Sequence, residues 1–174
     1  MKAMGLIVAD GTRARFLSVR YEENDEFEVV ATFQEHEALT NPEGHVAGQS
    51  LFSNAKSGRN RAHGGGPAHG YDDHRDQHQR ETQRRFAQQI GLQAKSFGEQ
   101  LELASWLLIA EPRMLGLLRQ ELEPRLPAGV PVSELAEDLT KRDLNHLRRV
   151  LEQNGVVKRP AIVKRVYHPR GQAP

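Results

Sequence analysis

Apolar and polar positions follow one another over the first 33 residues in a way that predicts three β-strands. Residues 5–9 are apolar throughout, which is typical of a strand buried on both faces, and Asp10-Gly11 is a turn signal. Residues 13–19 form the second predicted strand, and residues 27–33 alternate apolar and polar positions as a third. Because the connections are short, the pattern predicts an antiparallel meander.

The spacing of apolar residues becomes helical after a glycine-rich stretch. Phe86, Ile90, Ala94 and Phe97 form the apolar stripe of a long helix, and we expect Gly98 to end it. The remaining apolar pattern gives the later elements. We expect the long helix at 73–97. It is followed by a strand at 103–110, a helix from Pro112 stopped by Pro124, a strand at 130–135 and a helix at 141–153 closed by Asn154-Gly155.

The resulting order, β-β-β-α-β-α-β-α, predicts an α/β fold in which three helices pack on a mixed five-stranded sheet. We expect one domain over residues 1–155, a flexible glycine- and histidine-rich excursion at 39–71 and a basic tail at 156–174. Thr140 and Asp143 have the spacing of a capping box at the last helix. The ribonuclease H-like architecture has this order of elements, as has the central domain of archaeal and eukaryotic peptide-release factors and of pelota.

Composition narrows the compartment and the kind of partner. The chain has 174 residues, no cysteine, no N-terminal segment typical of a signal peptide and no apolar run that could span a bilayer. We therefore expect a cytoplasmic protein. The net charge of +1 conceals an acidic first part, since residues 1–52 hold four basic and nine acidic residues, while residues 153–174 hold five basic residues and no acid. Such basic segments can bind an anionic polymer, although solvated loops have the same composition.

Two arginines follow the Asp10-Gly11 turn. Arg13 and Arg15 alternate along the second strand, so both lie on one face and could bind a phosphate or carboxylate with paired donors. By spacing alone, a hairpin with a solvated polar face is the simpler interpretation.

The same segment resembles the opening of the bacterial host attachment family, whose members begin with a strand, an Asp-Gly turn and an Arg-Ala-Arg-like strand. The likeness continues to residue 155 and is carried by several short motifs. These are Asn41-Pro42, Ser57-Gly58-Arg59, the segment 110–119 and Glu137-Asp138-Leu139-Thr140. The family is named for a phenotype, attachment to host cells, and the name implies no defined reaction.

A more distant resemblance is to the release-factor central domain. Residues 5–11 look like its first strand, and Ala47-Gly48-Gln49-Ser50 lies where that domain has its Gly-Gly-Gln loop. In release factors this loop's glutamine helps position water on the peptidyl-tRNA ester. The resemblance implies Gln49 as a candidate residue for peptidyl-tRNA hydrolysis. Because Ala47 replaces the first glycine, the loop has less backbone freedom than in release factors.

Carboxylates and histidines supply two further candidate sites. Asp10, Glu111 and Asp138 follow the first, fourth and fifth predicted strands, and acids at such positions of a ribonuclease H-like sheet hold two metal ions for phosphodiester cleavage. They are equally natural as acids at strand ends and near helix starts. His74 and His78 are four residues apart at a helix start, a spacing that can bind zinc but is also typical of a solvated helical turn.

Taken together, the sequence favours a non-catalytic protein without a cofactor that associates with RNA, tRNA or the ribosome. The alternatives are an interaction protein directly needed for attachment to host cells, and a metal-dependent nuclease or peptidyl-tRNA hydrolase. The expected nucleic-acid-binding residues are Arg13, Arg15, Arg59, Arg61, Lys164 and Arg165.

Overall fold

Five strands form one mixed sheet in the computed structural model of the chain, which describes residues 3–23, 29–44 and 70–157. A short helical turn occupies residues 42–44. The strands are β1 (Met4–Ala9), β2 (Arg13–Glu23), β3 (Val29–Thr40), β4 (Ser105–Ile109) and β5 (Val132–Leu135). The longer helices are α1 (Gly70–Leu101), α2 (Pro112–Leu122) and α3 (Leu144–Gln153).

The strands lie side by side in the order β3-β2-β1-β4-β5. β1, β2 and β3 are antiparallel neighbours, which confirms the predicted meander. β4 runs parallel to β1, and β5 runs parallel to β4. The predicted α/β class and mixed sheet are therefore confirmed. Because β1 and β4 are parallel, the residues that follow them, Asp10 and Ala110, leave the sheet at the same edge.

Side chains from alternate positions of each strand form two separate cores, one on each face of the sheet. One face is covered by α1 and α2, whose side chains bury Ile7, Phe16 and Leu108 of the sheet. The ring of Phe97 meets the edge of Phe16, with 5.7 Å between the ring centroids. The opposite face is covered by α3, and Leu147 of that helix is fully buried there.

Gly5 on β1 leaves room for the side chain of Trp106, which lies on the neighbouring strand β4. Gly5 and Trp106 are register partners on β1 and β4. A Cβ atom at Gly5 would lie 2.6 Å from Leu103 Cδ1 and 2.8 Å from Cε3 of the indole. Trp106 is only 2% exposed, so its ring has no free space into which to move.

Several predicted boundaries differ from the structure. β3 continues to Thr40, so the first two residues of the expected 39–71 excursion pair with β2 instead. α1 begins at Gly70 and passes Gly98 to end at Leu101. Gly98 packs closely on Trp106, since a Cβ there would lie 3.1 Å from Cζ2 of the indole. The last helix begins at Leu144 rather than at residue 141.

The N-cap of that last helix also differs from the prediction. Asp143 is the N-cap, and its carboxylate accepts a hydrogen bond from the His146 N–H at 2.7 Å. The hydroxyl of Thr140 bonds to the side chains of Asp10 and Asp138 instead. Among the described helices, none combines the length and the apolar character that crossing a bilayer requires.

Candidate functional site

Asp10 fastens the turn between β1 and β2. Its Oδ1 accepts hydrogen bonds from the Thr12 N–H at 2.6 Å, the Thr12 hydroxyl at 2.7 Å and the Arg13 N–H at 2.8 Å. This arrangement is an Asx turn, and a backbone hydrogen bond from the Asp10 N–H to the Arg13 carbonyl at 2.9 Å also closes the hairpin. Nearby, the Asn41 side chain donates to the Gly11 carbonyl at 3.0 Å and fixes the end of β3 to the same turn.

The second oxygen of Asp10 reaches a segment far along the chain, the 139–143 loop that precedes α3. Oδ2 accepts a hydrogen bond of 2.7 Å from the hydroxyl of Thr140, which is 2% exposed. The same hydroxyl lies 2.9 Å from Oδ1 of Asp138. A hydroxyl has one proton, so Thr140 can donate fully to only one of these two carboxylates at a time.

Hydrogen bonds decide the ionisation of Asp10. Burial would raise its pKa, but the donors from the Thr12 and Thr140 hydroxyls and from the backbone of Thr12 and Arg13 together lower the pKa below 3.8. Asp10 is therefore an ionised carboxylate whose charge is compensated by the turn and by the 139–143 loop.

Arg15 lies on the same face of β2 as Arg13, as the two-residue period predicts, but its side chain is buried. Its Nε and NH2 groups donate to the two carboxylate oxygens of Glu35 at 2.8 and 2.7 Å. Its NH1 group donates to the carbonyls of Thr140 at 3.3 Å and Arg142 at 2.6 Å. The guanidinium group of Arg15, 5% exposed, is thus engaged inside the protein, whereas Arg13 is exposed.

Arg15 and Glu35 form an ion pair in which each partner shifts the pKa of the other. The hydrogen bonds and the charge of Arg15 lower the pKa of Glu35, against the effect of burial, and the hydrogen bonds to Glu35 raise the pKa of Arg15. Both groups are charged at neutral pH. Sequence reasoning missed this pair because Glu35 lies on another strand, beyond a register shift between β2 and β3.

The three candidate carboxylates have different surroundings. Asp10 and Asp138 meet at the Thr140 hydroxyl, but Glu111 is the N-cap residue of α2, is exposed and makes no side-chain capping bond. Across the described ranges, no three His, Asp or Glu side chains are grouped so that they could hold a metal ion. His78 is exposed on α1.

Other predicted site residues lie outside the part of the chain for which side chains are described. They are Gln49, Arg59, Arg61, His74, Lys164 and Arg165.

Exposed cations surround the loop that Asp10 and Arg15 hold. Lys141 and Arg142 belong to the 139–143 loop, Arg148 and Arg149 lie on α3, and Arg13 flanks the loop on β2; all five are exposed. We call these five residues the α3 basic surface. The guanidinium group of Arg148 lies 5.2 Å above the ring centroid of Phe33 on β3, a cation–π contact that orients it.

Carboxylates compensate part of the charge of the α3 basic surface: Asp143, whose pKa is lowered by the hydrogen bond from the His146 N–H and also by the charge of Arg149, lies in the 139–143 loop itself. Within the described residues, Lys141 and Arg142 form no ion pair with a carboxylate. Residues 141–174 contain nine Lys or Arg and two acids, whereas residues 1–140 contain fifteen Lys or Arg and twenty-one acids. The signal that could have revealed this surface was the rise of Lys and Arg density at residue 141.

A concave region lies between α2 and β5. It is an open groove of about 440 Å³ lined mainly by apolar side chains, among them Leu108, Leu122 and Val132. Arg119 on its rim is paired with Glu134 at 2.6 Å, so these two charges neutralise each other. Glu123, the third charged residue of the lining, adds a negative charge.

The described residues define a mixed α/β domain with a buried polar anchor at one sheet edge and a basic surface beside it. The chain belongs to the family described as "Protein required for attachment to host cells", whose model matches residues 6–151. This match confirms the resemblance to the host attachment family.

Comparison with solved structures gives a weaker likeness. Among the matching structures is a chain described as "Archaeal protein", with 11% sequence identity and a TM-score of 0.39, covering 90% of this chain. The present chain spans only 34% of that protein's length. At this level the likeness supports no functional argument, and it lends no support to the release-factor resemblance. A comparison with functionally curated proteins finds no match.

Proposed function

We propose that this member of the host attachment family is a non-catalytic, cytoplasmic RNA-binding domain, and that the α3 basic surface is its binding site. The observation that carries the proposal is the concentration of exposed cations around the 139–143 loop, two of which, Lys141 and Arg142, have no carboxylate partner among the described residues. In the sequence, residues 158–174 add five more Lys or Arg. RNA is an anionic polymer that this density of Lys and Arg could bind. Ribosomes and tRNA are its most abundant forms in a cytoplasm.

The physical basis of such binding is the release of counterions. Each phosphate that a Lys or Arg neutralises frees condensed cations, which is favourable at low salt and becomes less so as salt rises. Lys141 and Arg142 lie on a loop that is anchored on two sides, so little backbone order has to be gained on binding. Phosphate contacts of this kind confer affinity rather than sequence specificity.

The surroundings of Asp10 favour binding over catalysis. Its two oxygens accept four hydrogen bonds from the protein itself, three at Oδ1 and one at Oδ2. A carboxylate used in this way stabilises a turn and a loop. Glu111, the other acid expected near this edge, contributes no hydrogen bond to this cluster of described residues.

The test is RNA binding by purified protein as a function of salt. We expect the unmodified protein to bind single-stranded RNA and to co-sediment with ribosomes at low salt. The double variant Lys141→Gln/Arg142→Gln should bind more weakly, and the slope of log affinity against log salt should fall by about 1.4, or about 0.7 for each lost phosphate contact. The matched control is Lys95→Gln/Arg113→Gln, which removes two exposed cations from α1 and α2 on the opposite face. Equal effects of both double variants, or no binding of any RNA by the unmodified protein, would refute the proposal.

A direct role in attachment is the second candidate, favoured by the description of the family itself. In that case the protein would act at the cell surface and contact the host cell. Cell fractionation distinguishes the two, because an RNA-binding function requires the protein in the cytoplasmic fraction. Protein found mainly on the outer surface, together with binding of purified protein to host cells, would replace the first proposal by the second.

A further inference from the structure

Two buried polar contacts hold the 139–143 loop against the β1–β2 edge of the sheet. Arg15 donates from NH1 to the carbonyls of Thr140 and Arg142, and Asp10 accepts from the Thr140 hydroxyl at 2.7 Å. The residues that these bonds connect are 125 to 130 positions apart in the chain. Besides its own local hydrogen bonds, from Thr140 to Asp138 and from the Arg142 N–H to the Leu139 carbonyl, the loop is therefore held by residues of the sheet.

Resting on the proposed function, we infer that Asp10 and Arg15 are positioning residues for RNA binding: they hold the 139–143 loop so that Lys141 and Arg142 project outward. Neither residue touches the RNA in this view. Arg15 is 5% exposed, and all four of its described hydrogen bonds point inward, so it cannot serve as the phosphate ligand that its place in the strand suggested.

The chemistry of the two contacts explains how they act on the loop. Glu35 occupies Nε and NH2 of Arg15 with a paired interaction, which fixes the plane of the guanidinium group. The remaining NH1 is then aimed at the two loop carbonyls. Asp10, held by the turn donors on one oxygen, presents the other to the Thr140 hydroxyl. Each contact is therefore pre-oriented by a partner outside the loop, which makes the loop's position a property of the folded sheet.

Thr140 offers the cleanest perturbation. Thr140→Val keeps the shape of the buried side chain but removes the hydroxyl that Asp10 binds, whereas Thr140→Ser retains that hydroxyl. Arg15→Lys is a second probe, because it keeps the positive charge but loses the fork that reaches Glu35 and the loop carbonyls together.

Two measurements are made on each variant. The first is amide hydrogen exchange at Arg142, whose N–H donates to the Leu139 carbonyl at 3.0 Å within the loop. Loss of a hydrogen bond to a charged group should raise that exchange rate about tenfold or more in Thr140→Val, and Thr140→Ser should stay near the unmodified protein. The second is the salt dependence of RNA binding.

If the loop acts by presenting Lys141 and Arg142, Thr140→Val should lower the salt slope as Lys141→Gln/Arg142→Gln does, by about 1.4. Combining the two changes should lower it no further, because both act through the same cations. Fully additive effects, or faster exchange in the loop with an unchanged salt slope, would overturn the inference.

The design separates failure of the inference from failure of the proposed function. If the unmodified protein binds no RNA, the proposed function falls and the positioning role in RNA binding falls with it. If it binds RNA through Lys141 and Arg142 but Thr140→Val and Arg15→Lys leave both the loop exchange and the salt slope unchanged, only the positioning role is wrong.

Discussion

Replacing Gly5 by alanine tests how tightly the central strands are packed against Trp106. The added Cβ would lie 2.6 Å from Leu103 Cδ1 and 2.8 Å from both Cε3 and Cζ3 of the indole. Real Cβ atoms do not approach carbon this closely, so something must move. Leu103 is only partly buried and can change rotamer, but Trp106 is 2% exposed and is enclosed by Phe97 and Gly98.

The expected cost follows from the immobility of the ring. Inserting one methyl group into a well-packed core costs about 1–3 kcal/mol. For a domain of this size, each kcal/mol lowers the melting temperature by about 2–4 °C. Chemical denaturation should show a lower midpoint with an unchanged denaturant dependence, because the native surface is not altered.

A matched control uses a glycine with open surroundings. Gly116 lies within α2, and a Cβ there would meet nothing within 4 Å. Gly116→Ala should therefore raise stability by about 0.5–1 kcal/mol through reduced backbone freedom of the unfolded chain. The clash is tested by a double-mutant cycle, in which Gly5→Ala should cost less in a Trp106→Phe background. Gly5→Ala as stable as the unmodified protein, or an equal cost in both backgrounds, would refute the packing argument.

Two further predictions concern the polar anchor. Asp10→Asn should fold with a loss of stability below about 1 kcal/mol, because its amide oxygen can accept the hydrogen bonds of the turn and its NH2 can donate to Thr140, which then donates to Asp138. Asp10→Ala should lower the free energy of unfolding by about 1–3 kcal/mol, measured by thermal unfolding. Nuclease activity with Mg²⁺ that Asp10→Asn abolishes would instead show that this carboxylate is catalytic. Because the pKa of Glu35 is lowered from 4.5, its pairing stabilises the protein above that pH and the stabilisation is lost as pH falls through the lower folded value. Unfolding measured between pH 5 and about 2 should therefore depend less on pH in Glu35→Gln than in the unmodified protein, and an unchanged dependence would contradict the role of the pair.

The apolar pattern was sufficient for the fold because each element had a local signal. The continuous run at residues 5–9, the two-residue alternation at residues 27–33 and the stripe from Phe86 to Phe97 correspond to β1, β3 and α1. Boundaries failed where a partner outside the segment decided. Gly98 resembles a helix end in sequence, but it lies within a continuing helix, where a Cβ would lie 3.1 Å from Cζ2 of Trp106.

The candidate site was predicted less well because its residues gain their roles through contacts across the fold. Arg13 and Arg15 lie two residues apart on the same face of one strand and have the same side-chain chemistry. From the sequence, both are expected to be equally exposed. The structure makes one exposed and the other buried because a loop from the other end of the domain covers only Arg15. No local pattern around residue 15 could reveal that.

The burial of Arg15 changes which part of the chain should be examined for ligand contacts. An arginine whose donors are all directed inward contributes order, and its charge is compensated by Glu35. Cations without an ion pair among the described residues lie on the loop that it holds, at Lys141 and Arg142, which no motif singled out. A substitution at Arg15 that abolished binding would therefore not identify a ligand contact. Only variants that remove loop cations while leaving the anchor intact, compared with variants that do the reverse, can show where the anion binds and what keeps its site in place.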